Sequence, residues 1–300
     1  MWLLGYDLHL VWAVLAFFTV FMVLYSGAIA LLEPVLPTAV LELFRYGKAL
    51  DGPVQSRLVG MISVPKSYFT HFYVFSSIFL PALLGLAVAE ATGAPPPALV
   101  TAALDELCTS SRAAATSRTS ALLALALLTL QSFRRLYECV AVNQPSKSTM
   151  NITHYIVGFA HYFCAGAGVV CEAPGFAPGA PQPTPHPALL LLLVLVFLWA
   201  WRHQLAAHRT FAQLKLAAPT KHGLPTGGLF EMVSCPHYTM EMVLYTVVAL
   251  VLGPRHTTGL VLLAWVVVNQ AIAGLMSHRW YLATFRDYPK DRRAVIPYIL

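Results

Sequence analysis

Two guanidiniums and a carboxylate stand within a few positions of one another in Gln131-Ser132-Phe133-Arg134-Arg135-Leu136-Tyr137-Glu138, at the end of an apolar run. On a helix, residues four apart share a face, so Arg134 and Glu138 can pair while Arg135 is left to meet a phosphate. A second cluster, Ser234-Cys235-Pro236-His237-Tyr238-Thr239-Met240-Glu241, puts His237 and Glu241 on one helix face, with Tyr238 three residues before Glu241. Pro236 suits a first helical turn with Ser234 or Cys235 as its cap, and a helix start presents N–H groups to an anion or an amide. A third runs from Ser277 to Arg293, where His278, Arg279, Arg286, Lys290, Arg292 and Arg293 alternate with Trp280, Tyr281, Phe285 and Tyr288. Ionisable groups set among apolar residues are costly and mark function by default. Each cluster also has a plainer reading. The arginines can snorkel to an interface, His237 and Tyr238 can anchor a helix end, and the tail can lie as an amphipathic strip on anionic lipid. Isolated polar residues in apolar runs, namely His71, His154, His161, Asn269 and Gln270, need partners in a bundle or a wet cavity.

The elements that must position these groups follow from composition. Hydrophobic residues make up 58% of the 300 and charged residues 11%, with mean hydropathy +0.66. A water-facing surface needs about 25% charged residues, so lipid is the solvent for much of the chain. Seven apolar runs, at about 10–32, 68–88, 121–141, 153–171, 188–203, 229–252 and 259–277, approach the ~20 residues a helix needs to cross hydrocarbon. Unpaired backbone in lipid is prohibitive and no barrel-like alternation occurs, so the expectation is all-α: one polytopic membrane bundle of about seven helices over residues 1–300. The first run is too long for a signal-peptide core and has no basic segment before it, and is read as a retained span. The connections after runs 1, 3 and 5 and the C-terminal tail hold most of the Lys and Arg, counting Arg202 at the edge of the fifth run, and the opposite connections few. That asymmetry puts the C-terminus in the cytosol and the N-terminus outside or in a lumen. It also explains the net charge of +6 better than nucleic acid does.

Segments 91–120, rich in Ala, Ser, Thr and Pro, and 173–187, rich in Pro and Gly, read as linkers, the first a flexible lumenal loop. Asn151-Ile152-Thr153 fits the glycosylation pattern but falls on the cytosolic side of this topology. Cys108, Cys139, Cys164, Cys171 and Cys235 show no metal spacing; they read as reduced thiols packed like small apolar residues, and no metal is expected. There is no G-x-G-x-x-G, P-loop, G-x-S-x-G or H-E-x-x-H motif, so any dinucleotide must be held by side chains among helices.

At the C-terminal end the chain resembles a known family. Gly227-Gly228-Leu229-Phe230-Glu231-Met232-Val233-Ser234, Tyr238 and Glu241, with His278, Tyr281, Phe285, Tyr288-Pro289-Lys290, Arg292 and Pro297, is similar to the signature of the steroid 5α-reductase family over about residues 224–300. Leu130-Gln131 with Arg134-Arg135-Leu136-Tyr137-Glu138-Cys139, and Pro65-Lys66 with Phe69-Thr70-His71-Phe72-Tyr73, resemble its polyprenol reductase branch. Where steroid-reducing members carry a Gln-Glu pair, this chain has His71 and Phe72, which points away from a steroid.

The resemblance implies a seven-helix bundle in the endoplasmic reticulum membrane that holds NADPH in its cytosolic half and takes a polyprenoid lipid, supplying dolichol for dolichyl phosphate and protein N-glycosylation. It implies cofactor contacts at Arg134, Arg135, Gln204, His208, Lys215, His237, Glu241, His278 and Arg292; Gln204, His208 and Lys215 match by position while differing in type. Hydride addition needs an electrophilic carbon, which an allylic alcohol lacks and a C=C conjugated to an aldehyde has. Polyprenal is therefore the expected immediate substrate, with His71 as donor to the carbonyl and Tyr238 or Tyr281 in support. The alternatives are a trans-2-enoyl-CoA or 3-oxo-steroid reductase of the same superfamily, an S-adenosylmethionine-dependent membrane methyltransferase, and a transporter or scaffold without catalysis.

Overall fold

The computed structural model describes residues 2–3, 6–44, 56–144, 148–218 and 222–300, and helices dominate them. A two-residue hairpin of β1 (Trp2–Leu3) and β2 (Tyr6–Asp7) leads into α1 (Leu10–Leu32), whose first turn is capped by the His9 ring, Nδ1 accepting from Trp12 N at 3.1 Å. Two short helices, α2 (Thr38–Phe44) and α3 (Arg57–Met61), precede β3 (Ser63–Pro65). β3 pairs antiparallel with β4 (Thr149–Asn151), Val64 opposite Met150, and ties two connections together at one end of the bundle. The remaining helices are α4 (Phe69–Ala91), α5 (Ala98–Cys108), α6 (Arg118–Tyr137), α7 (Ile152–Cys171), α8 (Pro187–Ala217), α9 (Pro236–Leu252) and α10 (Thr257–Thr284).

Five helices, α1, α4 with the turn before it, α7, α8 and α10, are long and apolar enough to cross a membrane. α9 is apolar but shorter, and α6 carries too many polar residues in its second half to meet the same standard. α8 packs on α9, α4 on α6 and α7, α1 on α10, and α9 on both α6 and α10. The contiguous buried core is made by α4, α6, α7, α9 and the inner faces of α1, α8 and α10. Small residues let α7 approach closely: a Cβ on Gly158 would lie 2.6 Å from the Phe72 ring.

Several boundaries differ from the hydropathic expectation. α8 continues some fourteen residues beyond 203, because its polar extension keeps good helix formers, and the supposed 203–228 connection is half helix. α10 continues to Thr284, so His278 and Tyr281 sit on a helix and not in a tail. α9 starts only at Pro236, since Gly227 (φ 85°) and Gly228 (φ 58°) break the chain and Pro236 fits the first turn. The 91–120 segment is not a plain loop: it contains α5, with Leu104 and Cys108 buried, and Arg112 buried against the carbonyls of Thr109 and Phe176. The 173–187 segment has no helix before Pro187, but Phe176 and Ala177 are buried. Asn151 is buried too; its side chain caps α7 and donates to Leu43 O at 2.6 Å, so the glycosylation-like triplet is a helix start with its cap.

The tail is more than a strip on lipid. Residues 292–295 dock beside the start of α9: Ser234 N donates to Arg293 O (2.7 Å), Cys235 N to Ala294 O (3.1 Å), Arg293 N to Met232 O (3.0 Å) and Thr239 Oγ1 to Val295 O (2.5 Å). Ala294 and Val295 are fully buried there with Cys235 and Met242.

Candidate active site

The i, i+4 spacing of Arg134 and Glu138 does make a pair, 3.1 Å apart and buried on both sides. The helix at this point widens: Asn143 N bonds back five residues to Glu138 O at 2.7 Å, and residues 138–142 form a π turn. Such turns re-aim side chains and concentrate at functional sites. Here it tucks Glu138 inward and presents Cys139, Val140 and Ala141 to a cavity.

Glu138 gathers more than its expected partner. Arg135 Nη1 bonds the same carboxylate, and His208 Nδ1 of α8 lies 2.7 Å from it. Arg134 also donates to Gln131 Oε1 (2.7 Å), to Gln204 Oε1 and to the Trp201 carbonyl (2.9 Å). Gln131 and Gln204 each donate to Glu241 of α9, the first at 3.0 Å, and Gln204 Nε2 also reaches the His237 carbonyl at 2.9 Å. α6, α8 and α9 are thus stitched by a buried network of two arginines and two glutamates. Charges out of water must be compensated in this way or they unfold the bundle.

Arg135 is therefore not a free cation. Besides Glu138 it donates from Nε (3.1 Å) and Nη2 (2.8 Å) to the Tyr73 hydroxyl, with its guanidinium 5.0 Å from the Tyr73 ring centroid. Tyr73 receives both bonds, and among the described residues no protein acceptor takes its own proton.

Arg135 and Tyr73 both line a cavity of ≈ 1660 Å³. Its wall along α10 is a single helix face, from Trp265 through Asn269, Ile272, Met276 and Trp280 to Tyr281, about 24 Å long at ~1.5 Å rise per residue. One region is apolar, built by Phe17, Phe18, Phe21 and Met22 of α1 with Phe69, Val157 and Trp265. Phe17 and Phe21 are 61% and 48% exposed, so this region borders the outer face of the bundle. The other region is polar and cationic, with Lys66, Arg135, Lys215, His222, His237, Asn143 and Gln144. That chemistry suits an anionic ligand such as a dinucleotide diphosphate.

Apart from His71, the expected site residues separate into three groups. Arg135, Lys215, His237, Tyr238 and Tyr281 line the cavity. Arg134, Gln204, His208 and Glu241 lie behind its wall in the buried network. His278 and Arg292 belong to the C-terminal dock. His278 Nδ1 is 2.6 Å from Ser234 Oγ, which also meets Tyr288 OH at 2.5 Å. Arg292 is 2% exposed, donates to Pro225 O (2.8 Å) and Glu231 (3.3 Å), and sits 5.6 Å from the Tyr288 ring centroid.

His71 is not on the cavity wall. It is exposed, with Nδ1 3.1 Å from Tyr155 OH and its ring 4.5 Å from that of Tyr68. Tyr73 was the residue that sequence reasoning passed over. The signal was present: two positions on a helix are about 200° apart, so a Tyr at 73 faces inward when His71 faces out.

Residues 148–300, which include α7 to α10 and the C-terminal dock, match the family 3-oxo-5-alpha-steroid 4-dehydrogenase. The chain is 35% identical to a protein named polyprenal reductase from Drosophila melanogaster, over 98% of this chain and 94% of that one. It is 33% identical to a polyprenal reductase of Caenorhabditis elegans, over 85% of each chain. Against that of Homo sapiens it is 30% identical, over 86% of this chain and 85% of the relative.

Proposed function

The chain belongs to the 3-oxo-5-alpha-steroid 4-dehydrogenase family, and from that premise we propose that it reduces the α,β-double bond of polyprenal with NADPH to give dolichal. The observation that carries this reading is the Tyr73 hydroxyl, on the cavity wall, receiving two N–H bonds from Arg135 while its own proton has no protein acceptor among the described residues.

The cationic region holds the cofactor in this reading, with Lys66 and Lys215 toward its phosphates and His222, His237 and Trp280 beside them. When bound, a reduced nicotinamide supplies hydride. The apolar region between α1 and α10 takes the isoprene units next to the aldehyde, entering from the bilayer past Phe17 and Phe21.

As the β-carbon of the enal gains hydride, negative charge moves to the aldehyde oxygen. Tyr73 donates its proton-bearing edge to that oxygen, and the adjacent Arg135 guanidinium stabilises the anion through the phenol. One preorganised donor of this kind is worth roughly 10²–10³ in rate. Tyr238 and Tyr281, on the same wall, orient the reacting end, and protonation of the α-carbon completes the reduction. The role of carbonyl donor given to His71 by position thus passes to Tyr73. Arg134, Gln204, His208 and Glu241 position Arg135 without touching substrate. The proposed location is the endoplasmic reticulum membrane, with the C-terminus in the cytosol where NADPH is supplied, and dolichol for protein glycosylation is the proposed outcome.

The test is turnover by the purified chain with NADPH. Polyprenal is expected to be consumed, and polyprenol, testosterone and a trans-2-enoyl-CoA to be consumed far more slowly. Equal turnover of polyprenol with no oxidant present would overturn the requirement for a conjugated aldehyde; preference for the CoA ester would move the chain to the other reductase reading.

A further inference from the structure

At the opposite end of the bundle from the arginine network, three groups far apart in sequence converge. His9 Nε2, Cys108 Sγ and Cys171 Sγ all lie within 4.8 Å of one another. Cys108 is the last residue of α5 and Cys171 the last of α7, and both are fully buried thiols. The His9 segment is held over them by Asp7, whose carboxylate accepts from Ser110 N at 3.2 Å, two residues past Cys108. The turn between is built to stay put: Thr109 adopts φ 67°, in the left-handed region that a β-branched residue avoids, and its carbonyl accepts from the buried Arg112 at 2.9 Å.

Two chemistries fit a His and two Cys, a metal ion or a disulfide, and the His9 ring decides between them. Trp12 N–H donates to His9 Nδ1 at 3.1 Å, so the lone pair of Nδ1 is engaged. The proton of the neutral imidazole is then on Nε2, the nitrogen 3.8 Å from Cys171 Sγ and 3.3 Å from Thr258 Oγ1. A protonated nitrogen cannot ligate a metal, which leaves a bond between the two facing sulfurs as the chemistry that fits.

We propose that Cys108 and Cys171 are joined by a disulfide that staples α5 to the end of α7. The inference rests on the orientation adopted under the proposed function, in which this end of the bundle is lumenal and oxidising. The oxidant is a protein disulfide or glutathione disulfide. Cys171 thiolate attacks one of its sulfurs and expels the other as a thiolate. Cys108 thiolate then attacks Cys171 Sγ in the mixed disulfide and releases the second oxidant sulfur. Two S–H bonds are lost and one S–S bond is formed, two protons are released, and two electrons reduce the oxidant's disulfide to its thiols. The exchange takes place before α1 and the His9 segment close over the pair. The other three cysteines do not enter the bond: Cys139 is on the cavity wall, Cys164 lies two turns before Cys171 inside α7, and Cys235 is under the C-terminal dock.

The full-length chain in microsomes is treated with N-ethylmaleimide, denatured in excess reagent and digested without reductant for mass spectrometry. The expected result is one cross-linked peptide pair joining Cys108 to Cys171, lost on reduction, with Cys139, Cys164 and Cys235 alkylated. Single substitutions C108S and C171S should each release one further thiol to alkylation. Two overturning outcomes are distinct. Alkylation of both Cys108 and Cys171 while a reporter sequon placed in 178–186 is glycosylated would refute the disulfide with the orientation intact. An unglycosylated reporter that is instead cut by protease added to intact microsomes would put this end in the cytosol, removing the orientation and the proposal with it. Protection of both thiols that is relieved by a chelator, with no cross-linked peptide, would also overturn it in favour of a bound metal.

Discussion

Replacing Tyr73 by Phe removes one oxygen and little else, so it isolates the proposed donor. The ring stays, and with it the stacking of the Arg135 guanidinium 5.0 Å from its centroid and the packing against Phe72 and Tyr162. What is lost is the acceptor for Arg135 Nε at 3.1 Å and Nη2 at 2.8 Å. Arg135 Nη1 keeps Glu138, and water in the cavity can take the two vacated N–H groups, so the cost to folding is about 1 kcal/mol. The transition state, by contrast, loses a preorganised donor to the enolate oxygen, about 2.7–4 kcal/mol or roughly 10²–10³ in kcat. The two magnitudes separate a catalytic from a structural role. Steady-state kinetics on polyprenal, with thermal unfolding in the same detergent, should give a kcat lower by about two orders of magnitude, an almost unchanged KM for NADPH and a small change in unfolding temperature. A kcat within about threefold of the parent, or a fall in kcat matched by an equal rise in the KM for NADPH, would remove Tyr73 from the chemistry and leave it as a support for Arg135.

The remaining expectations concern the network, the cationic wall and pH. Glu138→Ala leaves Arg134 and Arg135 facing each other without their shared carboxylate, and unfolding by denaturant should show a loss of about 3–5 kcal/mol. Lys215→Met should raise the KM for NADPH about tenfold with kcat little changed, and the effect should shrink as salt rises. His256 is fully buried, with Nδ1 accepting from Gly259 N at 3.0 Å, and burial holds its pKa below the usual 6.5. The unfolded chain therefore binds a proton below about pH 6.5 that the folded chain refuses, so the unfolding temperature should be steady above that pH and fall as the pH drops through it.

Much of the architecture was legible because hydropathy reports directly on lipid. α1 and α7 begin and end within a residue of their expected bounds, since both are apolar to their caps. Hydropathy fails where a helix leaves the bilayer without ending. α8 and α10 carry Arg, His and Lys on turns that still hydrogen-bond internally, and a transfer scale stops reading them at the interface. The Arg134–Glu138 pair was legible as a local i, i+4 relation. The bonds of Gln204 and Gln131 to Glu241 were not, because they join helices through packing that no spacing encodes. The same limit hid the C-terminal dock, where Val233 bridges Arg293 across a long stretch of sequence and turns what looked like a lipid-binding strip into a structural clasp. The placement of His71 and Tyr73 was hidden for a different reason. A His in an apolar run draws attention and a Tyr reads as core, yet helical geometry sends them to opposite faces, and the bundle happens to place the cavity on the Tyr side.

The size of the cavity has a consequence for what the enzyme measures. At ≈ 1660 Å³ it exceeds the ~300–1,000 Å³ of an ordinary small-molecule pocket, enough for a dinucleotide and a few isoprenes but not for a long polymer. The bulk of such a polymer must stay dissolved in the bilayer while its tip is processed. Such an enzyme recognises an end group and is blind to length, so the distribution of lengths in its product is written by whatever built the polymer before it arrived.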